Sequence, residues 1–135
     1  MDSIWSDFRR LDKIAGWVLF AISTSVYMIT LEPTVSFWDC GEFILSSFRL
    51  QVGHPPGAPL FLMIGRIASL FALGDTSKVA FMMNALSAVS SGFAIMFLYW
   101  TITHLVRKIY GWTNEAASGH IASIIGSGVI GALAY

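Results

Sequence analysis

The feature that most limits how this chain can fold is a series of long apolar runs with almost no charge. The first extends from Ile14 to Leu31, about 18 residues without a charged side chain, and a helix needs roughly 20 apolar residues to cross a bilayer. Further apolar runs follow along the chain. They predict an all-α membrane protein with several transmembrane helices, at about 14–31, 57–73, 79–103 and 119–135.

The composition agrees with a membrane protein. Of the 135 residues, 56% are hydrophobic and 12% are charged, whereas soluble domains usually carry about 25% charged residues. The formal net charge is +0, so nothing favours nucleic acid as a partner. The single cysteine, Cys40, has no partner for a disulfide within the chain, and the histidines lie in separate segments without the spacing of a metal site. The last apolar run reaches Tyr135 without a polar flank, so we expect the N-terminal part of a longer protein.

The N-terminal segment is charged and amphipathic. Within residues 1–13, Ile4, Trp5, Phe8 and Leu11 recur at helical spacing between charged side chains. This pattern predicts a short helix that lies on the membrane surface. No cleavage site of small residues follows the first apolar run, so we expect a retained span. A signal anchor with no other role is the alternative.

The segment from Thr34 to Phe61 holds a high density of polar groups in an otherwise apolar chain. Asp39 and Glu42 lie three residues apart, directly after two aromatic residues. Aromatic neighbours can lower the dielectric constant around a carboxylate and change its pKa. Loops also carry function more often than the elements they connect. We therefore predict an active-site loop at a membrane surface, at residues 32–56.

Two structural signals lie within this loop. Residues 39–50 fit an amphipathic helix of the kind that lies in the membrane interface. The segment after it, from His54 to Pro59, cannot be a regular helix, because its prolines fix φ and lack a backbone N–H. A histidine held before prolines is a candidate for substrate contact. A histidine that merely lies at the interface is the plain alternative.

The other conspicuous residues also have structural explanations. Asp39 followed by Glu42 is close to a capping box, in which both side chains only satisfy backbone N–H groups at a helix start. Arg66 lies inside the second apolar run, where a cation suggests a function by default. Its alternatives are a structural pairing or a side chain that extends to the nearer interface.

The block from Glu32 to Phe61, EPTVSFWDCGEFILSSFRLQVGHPPGAPLF, resembles the first extracytoplasmic loop of bacterial membrane proteins related to protein O-mannosyltransferases. These proteins have the GT-C glycosyltransferase architecture, with many transmembrane helices and the active site in the first large external loop. The resemblance implies that residues 1–135 form the GT-C-like N-terminal part of such an enzyme. It also implies a polyprenyl-phosphate-linked sugar as the donor substrate, with no other cofactor and no metal assigned.

The resemblance also suggests roles for individual residues. Asp39 matches the acidic residue that serves in catalysis, and Glu42 is the second carboxylate of the pair. In many relatives the two acids are adjacent, whereas Cys40 and Gly41 separate them here, so the choice of catalytic base stays open. The candidate substrate-binding residues are His54, Arg49 and Trp38.

Together these observations predict a membrane glycosyltransferase that moves a mannose-like sugar from polyprenyl phosphate to an acceptor hydroxyl, on a protein Ser or Thr or on a glycan. Its partners would be the lipid bilayer, the lipid-linked donor and the acceptor. We expect a multi-pass protein of the inner (plasma) membrane, with a cytoplasmic N-terminus and loop 32–56 on the extracytoplasmic face, or in the lumen in a eukaryote. The segment alone should be inactive. The competing hypothesis is a transporter or assembly subunit in which the loop is a lid and Arg66 lines a path.

Overall fold

A computed structural model describes the backbone of residues 2–55, 57–109 and 117–134, and the side chains of residues 7–55, 57–109 and 120–134. This described part is entirely helical and contains no β-strand, which confirms the predicted all-α class. Its helices are α1 (Asp2–Ile29), α2 (Cys40–Arg49), α3 (Pro59–Leu70), α4 (Val79–Ile109) and α5 (Ala117–Leu133), with a 3₁₀-helix at Thr76–Lys78.

α1 is one continuous helix, which differs from the separate surface helix expected at the N-terminus. No proline interrupts the chain between the charged start and the apolar run, so both share one helix axis. The helix ends at Ile29, shortly before Glu32 and Pro33, and proline disfavours helical backbone in the residue before it. The side chains of Ile4 and Trp5, which contributed to the expectation of a surface helix, lie outside the described residues.

Within the described part of the chain, two helices are long and apolar enough to cross a bilayer, Asp7–Ile29 with 23 residues and Thr76–Ile109 with 34 residues. A 23-residue helix rises about 35 Å, more than the hydrocarbon core of about 30 Å. The crossings predicted at 14–31 and 79–103 fall on these two helices.

The other two predicted crossings fall on shorter helices. α3, within the predicted span 57–73, has 12 residues and therefore rises only about 18 Å. α5 has 17 residues, close to the length that a crossing needs. Helix length therefore gives no support for a complete crossing by α3 alone. Pro56 and Tyr135, the ends of the predicted loop and fourth span, lie outside the described residues.

The chain divides into two compact units. One contains the residues up to Val26 together with those from Ser91 onward, and its largest buried side chains are Tyr99, Phe8, Met96 and Ile124. The other is Tyr27–Ser90, and its core consists of Ala72, Val79 and Met83, with Ile44, Phe48, Ala68 and Met82 packed against it. The predicted loop belongs entirely to this second unit.

Candidate functional site

α2 begins directly after Asp39, so both predicted catalytic carboxylates lie at the same end of a helix. The backbone C=O of Asp39 accepts the N–H of Phe43 at 3.0 Å, which closes the first turn. The side chain of Asp39 makes no capping hydrogen bond, and the residue is exposed. The helix predicted at 39–50 is therefore confirmed, and the Asp39 carboxylate is not used to start it.

The Glu42 side chain is bound by His54, which lies 12 positions later in the chain. One carboxylate oxygen of Glu42 accepts the backbone N–H of His54 at 2.7 Å, and the other lies 2.7 Å from His54 Nδ1. The capping-box alternative is therefore wrong, because Asp39 makes no capping bond and Glu42 bonds to His54 instead. Sequence spacing could not reveal this contact, since the two residues are 12 positions apart.

The contact changes the acidity of both partners. The backbone N–H of His54, followed by its ring, holds the pKa of Glu42 below its usual range. The hydrogen bond and charge of Glu42, with a smaller contribution from the charge of Asp39, raise the pKa of His54. Asp39 is thus close enough to His54 to influence it. We call Asp39, Glu42 and His54 the carboxylate–histidine group.

Local structure fixes the position of His54. The N–H of Gly57 donates to the C=O of His54 at 2.9 Å and closes a turn, and Gly57 has a φ of 72° that favours glycine. The ring of Phe43 lies 6.4 Å from the His54 ring, centroid to centroid. A Cβ on Gly53 would lie 3.1 Å from Glu42 Oε1, so the absence of a side chain there allows the carboxylate to approach.

Trp38 has a backbone conformation that bulky residues rarely adopt. Its φ is 63°, in the left-handed region, and its side chain is 96% exposed. Strained backbone of this kind occurs often beside functional groups. Here it directly precedes Asp39. The predicted contact of Trp38 with substrate stays a prediction, and its ring is accessible for such a contact.

Arg49, the remaining predicted binding residue, lies at the opposite end of α2. This helix has ten residues, so Arg49 is about 15 Å from Asp39 along the helix axis. Arg49 is exposed at that end. The structure therefore brings Asp39, Glu42 and His54 together and leaves Arg49 apart, and its role stays a prediction.

Arg66 holds the C-terminal end of α2. Its Nη1 donates to the C=O of Phe48 at 2.6 Å, and its guanidinium carbon lies 5.5 Å from the centroid of the Phe48 ring. Carbonyls in the last turn of a helix have no partner within that helix, and a cation there also stabilises the helix dipole. These contacts support the structural explanation of Arg66, a pairing with the end of α2.

Asn84 has a role that the sequence reasoning missed. Its side-chain amide donates to the C=O of Glu32 at 2.8 Å and to the C=O of Thr34 at 3.0 Å. Asn84 thereby ties the start of the loop to α4. The signal in the sequence was an amide side chain within an apolar run, since such side chains often form hydrogen bonds to neighbouring segments.

An apolar cavity of about 370 Å³ lies in the same unit, and Phe43 separates it from the carboxylate–histidine group, whose three residues do not line it. Phe43, whose ring contacts His54, is part of its lining, together with Phe61 and Met83; Asn84 and Ser87 supply polar atoms. Among the residues that the structure describes, no three His, Cys, Asp or Glu side chains are grouped closely enough to hold a metal. The site therefore combines an exposed carboxylate, a paired histidine and an apolar space.

Residues 39–135 match the family described as "Protein O-mannosyl-transferase TMEM260 N-terminal domain". This chain belongs to that family. The matched segment begins at Asp39, the residue that precedes α2, and contains the carboxylate–histidine group. No solved structure matches the chain.

Two relatives carry the same name. A protein O-mannosyl-transferase tmem260 from Dictyostelium discoideum is 35% identical over 119 residues, which cover 86% of this chain and 14% of the relative. A protein O-mannosyl-transferase TMEM260 from Mus musculus is 30% identical over 112 residues, 82% of this chain and 14% of the relative. The chain thus spans about one seventh of the length of these proteins. The expected relationship to O-mannosyltransferases is confirmed, whereas the bacterial part of that expectation gains no support, since both organisms are eukaryotes.

Proposed function

We propose that this chain forms the loop-bearing N-terminal part of a membrane glycosyltransferase that transfers mannose to a hydroxyl of an acceptor protein. The name of its relatives supports mannose as the sugar and protein as the acceptor. The observation that carries the proposal is the difference between the two carboxylates. His54 occupies both oxygens of Glu42, while Asp39 is exposed and makes no capping bond.

Asp39 is the general base in this proposal. It accepts the proton of the acceptor hydroxyl as that oxygen attacks the anomeric carbon of the sugar. The bond from this carbon to the phosphate oxygen breaks, and the polyprenyl phosphate leaves with the electron pair, so the configuration inverts. A carboxylate can perform this step when it lies within hydrogen-bond reach of the hydroxyl. An exposed carboxylate at a helix start is suited to meet a substrate from solution or from a membrane surface.

Glu42 and His54 bind and orient the donor. Glu42 faces Nδ1 of His54, which leaves Nε2 for the substrate. The raised pKa of His54 keeps its ring protonated over a wider pH range, so the ring can bind a donor phosphate as a cation. Trp38 offers its exposed ring to the sugar or the acceptor. Arg49 would contact the donor only where the substrate extends along α2.

The apolar surroundings support a lipid-linked donor. An isoprenoid chain would fill an apolar space such as the cavity beside Phe43 and bring its phosphate near His54. The two long apolar helices support a membrane-embedded protein, and side chains such as Ile22 and Val26 leave half of their surface uncovered. In the proposed arrangement several helices cross the membrane, α2 lies in its interface, and the loop faces the lumen or the cell exterior.

The test is a transfer assay with the purified full-length protein, labelled mannosyl-phosphoryl-polyprenol as donor and a protein acceptor. Asp39→Asn should lower turnover by about 10²- to 10⁴-fold, the usual contribution of a general base. The matched control is Asp75→Asn, because Asp75 is an exposed carboxylate of the same unit that caps the 3₁₀-helix, and Asn caps about as well. Transfer that is absent in the wild type, or undiminished in Asp39→Asn, would contradict the proposal.

A further inference from the structure

A second cavity lies in the unit that contains the N-terminal part of α1, and the transfer reaction uses none of its residues. In this unit α1 and α4 run antiparallel. Trp100 Nε1 donates to the C=O of Asp12 at 3.2 Å, and further along the rings of Phe20 and Phe93 lie 4.4 Å apart. The cavity has a volume of about 430 Å³ and is lined by Asp12, Lys13, Trp17 and Trp100.

Two tryptophans form perpendicular walls of this cavity. The ring centroids of Trp17 and Trp100 are 6.4 Å apart and their planes meet at 83°. Trp100 is held by its hydrogen bond to Asp12 and by close packing on Gly16, where a Cβ would lie 2.6 Å from the indole carbon Cε2. Any larger residue at Gly16 would displace this ring. The aromatic corner is therefore fixed by the local sequence.

The charges around the corner have a defined arrangement. The Asp12 side chain is half-buried and belongs to the lining of the cavity, and the Tyr99 hydroxyl lies close to it. A carboxylate in a partly buried lining attracts a cationic group more strongly than a carboxylate in bulk water. Lys13 adds a cationic side chain to the lining of the same cavity. A ligand that carries a positive and a negative group would satisfy both residues.

Aromatic faces beside a carboxylate favour a quaternary ammonium group, which binds to indole rings through cation–π attraction. A phosphate next to that ammonium would meet Lys13. The expected depth of Asp12 and Lys13 in the membrane also suits such a head group. Asp12 and Lys13 are the last charged residues before the apolar run of α1, so in a bilayer they lie at the level of the lipid head groups.

We propose that the corner formed by Trp17, Trp100 and Asp12 binds a choline-type head group, a quaternary ammonium joined to a phosphate. A phosphatidylcholine molecule and a soluble phosphocholine ester share this chemistry. The position of the cavity at the end of an apolar run favours the lipid. The proposal is independent of the glycosyltransferase reaction.

Native mass spectrometry of the full-length protein in a maltoside detergent tests the proposal. Phosphatidylcholine, phosphatidylglycerol with the same acyl chains, and soluble glycerophosphocholine are titrated separately. The wild type should bind phosphatidylcholine more tightly than phosphatidylglycerol. Asp12→Asn, which keeps the shape of the side chain, and Trp100→Leu should each weaken that binding by about twofold to thirtyfold. Asp7→Asn, an exposed carboxylate of the same helix, is the matched control and should bind like the wild type.

A further variant distinguishes the aromatic corner from a general change in stability. Gly16→Ala should displace Trp100 and weaken binding without removing a charge or a ring. Equal binding of the two phospholipids by the wild type would overturn the proposal, and so would undiminished binding by Asp12→Asn. Glycerophosphocholine binding as tightly as the lipid would overturn the assignment to a membrane lipid, and weak binding of the soluble ester would support it.

Discussion

At the scale of single residues, Asp39 and Glu42 differ in what they touch, although they are three positions apart. Glu42 receives two hydrogen bonds from His54, at 2.7 Å each, and no longer has an oxygen without a partner. Asp39 lies near the same histidine but contributes only its charge to it. One carboxylate is therefore suited to hold a positioning residue and the other to exchange a proton with a substrate.

The pair of Glu42 and His54 predicts a defined pH dependence. Because the pKa of His54 is raised, the stabilisation from its charged form is present at low pH and is lost as the pH rises through that pKa. Because the pKa of Glu42 is lowered, its contribution is lost as the pH falls through that pKa. The ion pair is thus complete between the two values. An NMR titration of His54 should give a pKa above that of an unperturbed histidine.

Substitutions check the source of this shift. Glu42→Gln should move the His54 pKa down toward the ordinary value, because the carboxylate causes the largest part of the shift. Glu32→Gln is the matched control, since Glu32 is an exposed acid of the same unit that bonds to Thr34 instead. An unchanged His54 titration in Glu42→Gln would show that the pair does not form in solution.

At the scale of elements, α2 is fastened at both ends. Glu42 in its first turn binds His54, and Arg66 of α3 donates to Phe48 in its last turn. Leu50 ends the helix with a φ of 52°, and its N–H is directed at the carbonyls of Ser46 and Ser47. A helix of ten residues is marginal by itself in water, so its position depends on these contacts and on its packing against α3.

Removing the Arg66 contact should loosen α2. Arg66→Met keeps most of the apolar stem but leaves the Phe48 carbonyl without its donor, which costs about 1 to 2 kcal/mol. Hydrogen exchange followed by mass spectrometry should show faster exchange across residues 40–49. Arg49→Met, at the exposed end of the same helix, is the matched control and should change exchange much less. Equally fast exchange in both variants would mean that the positive charge of either arginine, and not the hydrogen bond from Arg66 to Phe48, stabilises α2.

At the scale of the whole molecule, the apolar runs predicted the all-α class and the two long helices, because a long apolar run without proline or charge can form one long helix. The amphipathic pattern of residues 39–50 located α2 to within one residue at each end. Pro33 marks the end of α1, whereas Pro59, which we expected outside regular helix, is the first residue of α3, where its missing N–H needs no partner. These signals are local, so the sequence contains them in full.

The contacts that build the site are not local, and the sequence did not contain them. Glu42 and His54 are 12 positions apart along the chain, and Glu32 and Asn84 are 52 positions apart. The capping-box pattern is present in the sequence, but the Glu42 side chain bonds to His54 and does not cap α2. The continuous α1 and the short α3 were missed for a related reason. Composition alone does not show whether a charged start continues into a helix or how much of an apolar run is helical.

The proposed orientation of the membrane protein predicts which face of the membrane presents Cys40, the exposed and only thiol of this chain. In sealed microsomes with the cytoplasmic face outward, an impermeant maleimide should modify Cys40 only after permeabilisation. A Cys40→Ser variant identifies the signal from this residue. A cysteine that replaces Asp7 in that variant should react without permeabilisation, because α1 separates it from the loop. Modification of Cys40 in sealed vesicles would place the loop on the cytoplasmic face.

Asp39 and Glu42 have separate roles in the proposed mechanism, and single-turnover transfer of labelled mannose by the full-length protein measures this division of roles most directly. Asp39→Asn should lower the rate constant at saturating donor by about 10²- to 10⁴-fold with little change in donor affinity, because it removes a proton acceptor used only in the transition state. Glu42→Gln should mainly weaken donor affinity, because it releases His54, and leave the rate at saturation near the wild type. A Glu42→Gln variant that fails at saturating donor, beside an Asp39→Asn variant with wild-type rates, would contradict the account.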